Sequence, residues 1–222
     1  MYFVHIPKVV QKLFPGFVWR IEDAEQTVYL TFDDGPSQHT PWILDLLDRW
    51  NAKATFFCVG RQVERYPHYV EEIRKRGHAI GNHSYSHPSG WTTDDTSYLM
   101  DVKRAQQLLQ TNLFRPPYGK LKPRQAQYLL RHYKIIMWDV MSGDFDPHVD
   151  ADQCAKNVLD HAKSGSIIVF HDSPKAWSNL SAALPLVLQS LHERQMAMEA
   201  IPGAVPQTYA QPSYTPSLKI AL

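Results

Sequence analysis

The stretch Val28-Tyr29-Leu30-Thr31-Phe32-Asp33-Asp34-Gly35-Pro36 decides the fold. Its first five residues are apolar, aromatic or β-branched, a short run suited to a strand buried on both faces. Asp33-Asp34-Gly35-Pro36 stops that strand, because Pro has no N–H for a ladder and Asp-Gly favours a turn. Thr40-Pro41 then opens a segment with Ile43, Leu44, Leu46, Leu47 and Trp50 at helical spacing. Thr40 is placed to cap it, and Pro41 fits the first helical position. A buried strand followed by an amphipathic helix is the unit of an α/β fold with a mostly parallel sheet.

The alternation continues outward from this unit. Strands are predicted over 54–59, 78–80, 135–140, 166–170 and 196–201, and helices over 67–76, 94–109, 124–131, 152–163 and 178–192. Arg115-Pro116-Pro117-Tyr118-Gly119 breaks the chain between two of them. No repeat of fixed period is present. Residues 26–201 thus read as one domain, with 1–25 as an N-terminal segment packing on it. Residues 202–222, rich in Pro, Ser, Gln and Tyr with Lys219 as their only charge, read as a tail.

Composition narrows the function classes. The 222 residues carry 23 Lys plus Arg against 22 Asp plus Glu, a net charge of +1 that argues against a nucleic-acid footprint. With 44% hydrophobic and 20% charged residues the chain is neither disordered nor fibrous. No run approaches the ~20 apolar residues of a membrane span, and Lys8, Lys12 and Arg20 interrupt the apolar N-terminal region. No secretion signal is visible, which predicts a cytoplasmic location and leaves export by another route open. Cys58 and Cys154 fit neither a zinc pattern nor a disulfide framework and are expected to be free thiols.

Polar residues gather where the predicted strands end, the side on which parallel α/β sheets place their functional groups. They are Asp33 and Asp34, His83 and His87, Arg115, Asp139 and Asp144, and His171 and Asp172. Each motif alone also fits a structural role. His83-Ser84-Tyr85-Ser86-His87, for instance, is a spacing that eleven histidines produce by chance roughly 0.5 times. Together they offer a specific chemistry. Two imidazoles and a carboxylate make an open three-ligand site for a catalytic divalent ion, a second carboxylate can take a proton from water, and a histidine held cationic by a carboxylate can protonate a leaving group.

Thr31 to Pro36, His83 to His87, Arg115 to Gly119, Trp138 to Phe145 and Ile168 to Asp172 resemble, in order, the five motifs of the polysaccharide deacetylase family, the NodB-homology or family 4 carbohydrate esterases. The resemblance covers about residues 26–201. It implies a single-domain distorted (β/α) barrel that removes acetyl groups from a carbohydrate with the help of one divalent ion, zinc first, with cobalt or nickel as alternatives. Carried over, Asp34, His83 and His87 are the metal ligands, Asp33 the general base and His171 the general acid. Arg115 pairs with the base, Asp144 orients the acid, and the main-chain N–H of Tyr118 joins the ion in stabilising the oxyanion. The family's usual Trp after the fourth-motif Asp is Phe145 here, and the usual Leu two residues before the fifth-motif His is Val169; both are expected to shape the fit around the acetyl group. Tyr85, Trp91 and Tyr118, in loops, are expected to stack on sugar rings.

The reading that follows is an N-deacetylase of an amino-sugar oligo- or polysaccharide. The alternatives are an O-acetyl esterase on a polymer such as acetylated xylan, served by the same residues, and a non-catalytic carbohydrate-binding homologue, disfavoured because base, ligands and acid are all present. A metal phosphohydrolase would need a phosphate cradle that the sequence lacks.

Overall fold

The computed structural model describes residues 3–22 and 24–203. Eight short strands, β1 (Thr27–Asp33), β2 (Ala54–Cys58), β3 (Ala79–Asn82), β4 (Leu113–Phe114), β5 (Lys134–Ile135), β6 (Val140–Met141), β7 (Ile167–His171) and β8 (Ala197–Met198), alternate with helices. The helices are α1 (Lys8–Leu13), α2 (Thr40–Arg49), α3 (Gly60–Arg65), α4 (Pro67–Lys75), α5 (Asp95–Leu109), α6 (Pro123–Leu129), α7 (Ala151–Leu159) and α8 (Trp177–Glu193). The strands form one curled parallel sheet in the order β5-β4-β3-β2-β1-β7-β6, with β8 beside the start of β1. No described helix is long and apolar enough to cross a membrane.

The central strand shows why the sheet curls around a site. Val28, Leu30 and Phe32 face outward into a core with Ile43, Leu44 and Leu47 of α2 and Leu180, Leu184 and Val187 of α8. Tyr29, Thr31 and Asp33 alternate to the inner face, as the two-residue period of a strand requires. Tyr29 closes one end of the interior with Phe57, Leu113, Ile136, Ile167 and Ile201. Above that plug lies Arg115, fully buried, its guanidinium carbon 4.1 Å from the Phe57 ring centre. Gly81, the β3 partner of Phe57, makes room for this ring, since a Cβ there would come within 2.3 Å of it.

Three local differences from the predicted elements have physical reasons. The strand expected over 135–140 is split into β5 and β6 because the N-terminal segment enters the gap. Val18 N donates to Ile135 O at 2.8 Å, Met137 N donates to Val18 O at 2.7 Å, and Ile6 N donates to Asp139 O at 3.0 Å. The strand expected over 196–201 is reduced to the Ala197–Met198 pairing with β1. Helix α3 is new: Gly60 and Arg61 donate their N–H groups to Ser84 O (2.9 Å) and Tyr85 O (3.0 Å), so its start is fixed by a distant loop and not by a local cap. Of the tail, only 202 and 203 fall within the described residues.

Candidate active site

The ends of β1, β2, β3 and β7 converge on a groove of about 910 Å³ with Asp33, Asp34, His83, His87 and His171 in its lining. Asp33 is the last residue of β1 and is nearly buried. Arg115 Nη1 donates to its Oδ1 at 2.7 Å and to Thr31 Oγ1 at 2.7 Å, while Nη2 and Nε donate to Met137 O (2.9 Å) and Ile136 O (3.2 Å). Four acceptors take up four of the five N–H groups of this buried guanidinium, and Asp33 is the charged one among them.

Asp34 turns away from Asp33 because its backbone is left-handed, at φ 75°. Ser84, His87 and Tyr118 are also left-handed, at 64°, 62° and 60°. A non-glycine residue in that region stores strain that the surroundings must hold, and such residues cluster at functional sites. The holding groups are visible. Asn82 Oδ1 accepts from Ser84 N at 2.7 Å, Ser84 Oγ accepts from His87 N at 3.1 Å, and Asp101 of α5 accepts from Tyr85 N (2.7 Å), Ser86 N (3.0 Å) and Ser86 Oγ (2.6 Å).

The loop thus brings His83 and His87 against Asp34. The two Nε2 atoms are 3.2 Å apart, and Asp34 Oδ1 lies 3.2 Å from His87 Nε2 and 3.6 Å from His83 Nε2. His83 Nδ1 donates to Arg115 O at 2.8 Å, a bond that fixes the tautomer and leaves the Nε2 lone pair facing the cluster. Asp34 Oδ1 is buried with no hydrogen-bond donor. Three candidate ligand atoms within 4.8 Å of one another, one of them a buried carboxylate oxygen, form a donor set that suits a divalent cation. The residues present therefore fit a metal ion. Burial of Asp34 opposes its ionisation, but His87, His171 and His83 outweigh it and hold the carboxyl below the usual range. Burial lowers His83 to about 4, keeping the ring neutral as a ligand must be.

Across the groove His171 ends β7. Its Nδ1 lies 2.8 Å from Asp144 Oδ1, and its main-chain N donates to Asp144 Oδ2 at 2.8 Å. Burial disfavours the charged ring, yet the charge and hydrogen bond of Asp144, with Asp34 and Asp33 adding, raise it to about 9. Phe145 meets the ring edge-on at 4.9 Å. Asp172 is a brace: its buried oxygens accept from Ser37 Oγ and Thr40 Oγ1 at 2.5 Å each, its N donates to Asp33 O at 2.8 Å, and a Cβ on Gly35 would come within 2.4 Å of its Oδ2. Thr40 is spent on this contact and does not cap α2. Asp139 is likewise structural, held by Arg20, Ser166 and Ile167 N.

The expected sugar contacts divide. Tyr118 is exposed in the groove, its ring 4.6 Å from that of His87, and Phe145 lines the wall. Tyr85 is placed otherwise: it is buried, its hydroxyl donates to Glu64 at 2.8 Å, and Arg104 lies 3.4 Å over its ring. The left-handed turn at Ser84 sends it outward against α3 and α5, so it supports the histidines from behind. Val169 is fully buried between Thr31 and Met141, and Met141 takes the place in the groove lining. Trp91 is exposed but outside the lining, tied by its Nε1 to Leu121 O at 3.3 Å. Sequence reasoning missed Asp101 and Asn82. Asn82 directly precedes His83, a position from which a strand end can cap the loop, whereas nothing local marks Asp101. Both cysteines are buried and free.

Comparison with known proteins identifies the family. A family model described as polysaccharide deacetylase matches residues 20–135. A Bacillus cereus peptidoglycan-N-acetylglucosamine deacetylase is 37% identical over 155 residues, covering 66% of this chain and 56% of that protein. A second from the same organism is 32% identical over 191 residues, covering 81% and 88%. The solved structure of a peptidoglycan N-acetylglucosamine deacetylase in complex with an N-oxidanyl-benzamide superposes with a TM-score of 0.79 at 31% identity, over 84% of this chain and 91% of that one. The chain is an enzyme of the polysaccharide deacetylase family.

Proposed function

We propose that the protein is a metal-dependent deacetylase that hydrolyses N-acetyl groups of an amino-sugar oligo- or polysaccharide and releases acetate. The observation that carries this reading is the convergence of Asp34, His83 and His87 between an Arg115-paired Asp33 and an Asp144-paired His171 on one groove floor. A divalent ion on the three ligands, zinc by donor set, supplies Lewis-acid activation of water and of the acetamide carbonyl. Asp33, held in place by the Arg115 guanidinium at 2.7 Å, takes a proton from the attacking water as the new C–O bond forms. The Tyr118 main-chain N–H donates to the developing oxyanion. His171, cationic up to about pH 9, gives its proton to the amine nitrogen as the C–N bond breaks. Acetate and a free amine leave, Asp33 gives up its proton, and His171 regains one from solvent.

Asp33, the ligand cluster and His171 would serve an O-acetyl ester as well, and amide hydrolysis is favoured here by the names of the relatives, both N-acetylglucosamine deacetylases. The test is acetate release by zinc-loaded protein from chitin oligosaccharides, peptidoglycan fragments and acetylated xylan. Release from the first two supports the reading, and release from xylan alone overturns it.

A further inference from the structure

The groove carries charge that the hydrolysis does not use. Arg61 at the start of α3, Lys120 after the Tyr118 turn and Lys175 before α8 all line it. Each lies over an aromatic ring: Arg61 at 6.0 Å from Tyr85, Lys120 at 5.1 Å from Trp91 and 5.8 Å from Tyr118, and Lys175 at 5.6 Å from Phe145. Among the described residues none of the three is in an ion pair. The carboxylates of the lining lie on the floor and are occupied: Asp33 by Arg115, Asp34 in the ligand cluster, and Asp172 by Ser37 and Thr40. The groove walls therefore present unpaired cations from three separate chain segments, in a protein whose net charge is only +1. Cations set on the walls of a concave groove focus their field on whatever enters.

We infer that Arg61, Lys120 and Lys175 form an anion-recognising wall that selects N-acetylated glycans bearing negatively charged substituents, carboxylate or phosphate, on sugars near the reacting acetamide. The inference rests on the deacetylase reading for the identity of the chain that fills the groove. Tyr118 and Phe145 hold the Lys120 and Lys175 heads in place and offer apolar surface to sugar faces, so each lysine with its ring makes one amphipathic contact for an acidic sugar, while the buried Tyr85 only steadies Arg61.

The test uses three chitooligosaccharides of equal length, one neutral, one carboxymethylated and one phosphorylated, with binding measured by calorimetry alongside acetate release. Tighter binding of a charged form at low salt, by about tenfold or more and shrinking as ionic strength rises, is expected. The two charged arms tell which anion is preferred. Arg61→Gln, Lys120→Gln and Lys175→Gln should each move the charged-to-neutral affinity ratio toward one by about two- to fivefold, while Lys120→Arg and Lys175→Arg keep it. Equal affinity for all three sugars, or a ratio unmoved by the three neutral variants, overturns the inference. Charge-dependent binding with no acetate released from any of them would instead overturn the deacetylase reading and leave the wall standing.

Discussion

One carboxylate holds His171 by two of its groups: Asp144 Oδ1 lies 2.8 Å from the ring Nδ1, and Asp144 Oδ2 accepts the main-chain N–H of the same residue at 2.8 Å. The first contact sets the proton affinity of the ring, and the second fixes where β7 ends. With Nδ1 engaged, Nε2 is the atom left to exchange a proton in the groove.

The pH profile should report this clamp. With Asp33 as base and His171 as acid, kcat/KM is expected to be bell-shaped, with an alkaline limb near the raised His171 value of about 9. Asp144→Asn removes the largest stabilising charge and should lower that limb by ~1 to 3 pH units. A profile that overlays the parent would refute the pairing.

Arg115 and Asp33 should not be separable without cost. Arg115→Met leaves a buried carboxylate unpaired, and a loss of about 3 to 5 kcal/mol in unfolding free energy is expected. Asp33→Asn keeps a hydrogen-bond acceptor for Arg115, so it should remain folded and retain zinc while turnover falls at least a hundredfold. Denaturant titration and zinc calorimetry on both variants check this, and loss of zinc from Asp33→Asn would show that Asp33 is a ligand.

Asp101 touches no ligand yet holds three donors of the loop that carries two of them. Asp101→Ala is therefore expected to weaken zinc binding about 10- to 100-fold, the effect typical of groups that orient a ligand, without removing any coordinating atom. His83→Ala and His87→Ala should weaken it further. Unchanged affinity in Asp101→Ala would mean that the left-handed turns at Ser84 and His87 are held by other contacts.

His78 makes a separate prediction for stability. It is buried, its Nδ1 accepts from Ala54 N at 3.2 Å, and burial lowers it to about 4 from the ordinary 6.5. The unfolded chain thus takes up a proton at higher pH than the folded one. The contribution of neutral His78 is complete above pH 6.5 and is lost as pH falls from 6.5 towards 4, by up to about 3 kcal/mol. His78→Asn should flatten the fall of Tm over that window relative to the parent, and parallel curves would exclude His78 as its source.

Neither thiol should react with a thiol reagent in the native state. Burial pushes Cys58 far above the ordinary thiol range and Cys154 up to about 12, leaving almost no thiolate at neutral pH. Both should titrate after denaturation.

The sequence by itself determined most of the elements and the polar groups at their ends. Apolar runs such as Val28 to Phe32, broken by Asp-Asp-Gly-Pro, carry strand and turn chemistry in adjacent residues, and local order is enough to place polar groups at strand ends. That put Asp33, Asp34, His83, His87 and His171 on one side of a parallel sheet before any contact was known. The tertiary structure alone decided what meets what. Tyr85 lies in the same loop as the histidines, but the left-handed turn at Ser84 sends its ring behind them, and no periodicity encodes that turn. Val18 divides a strand more than a hundred residues away, and α3 starts where Ser84 and Tyr85 offer carbonyls. Asp101 braces the His83 loop from the middle of α5, where it reads as one more polar residue on a helix. Each of these depends on groups far apart in the chain finding the donors and acceptors that burial forces them to satisfy.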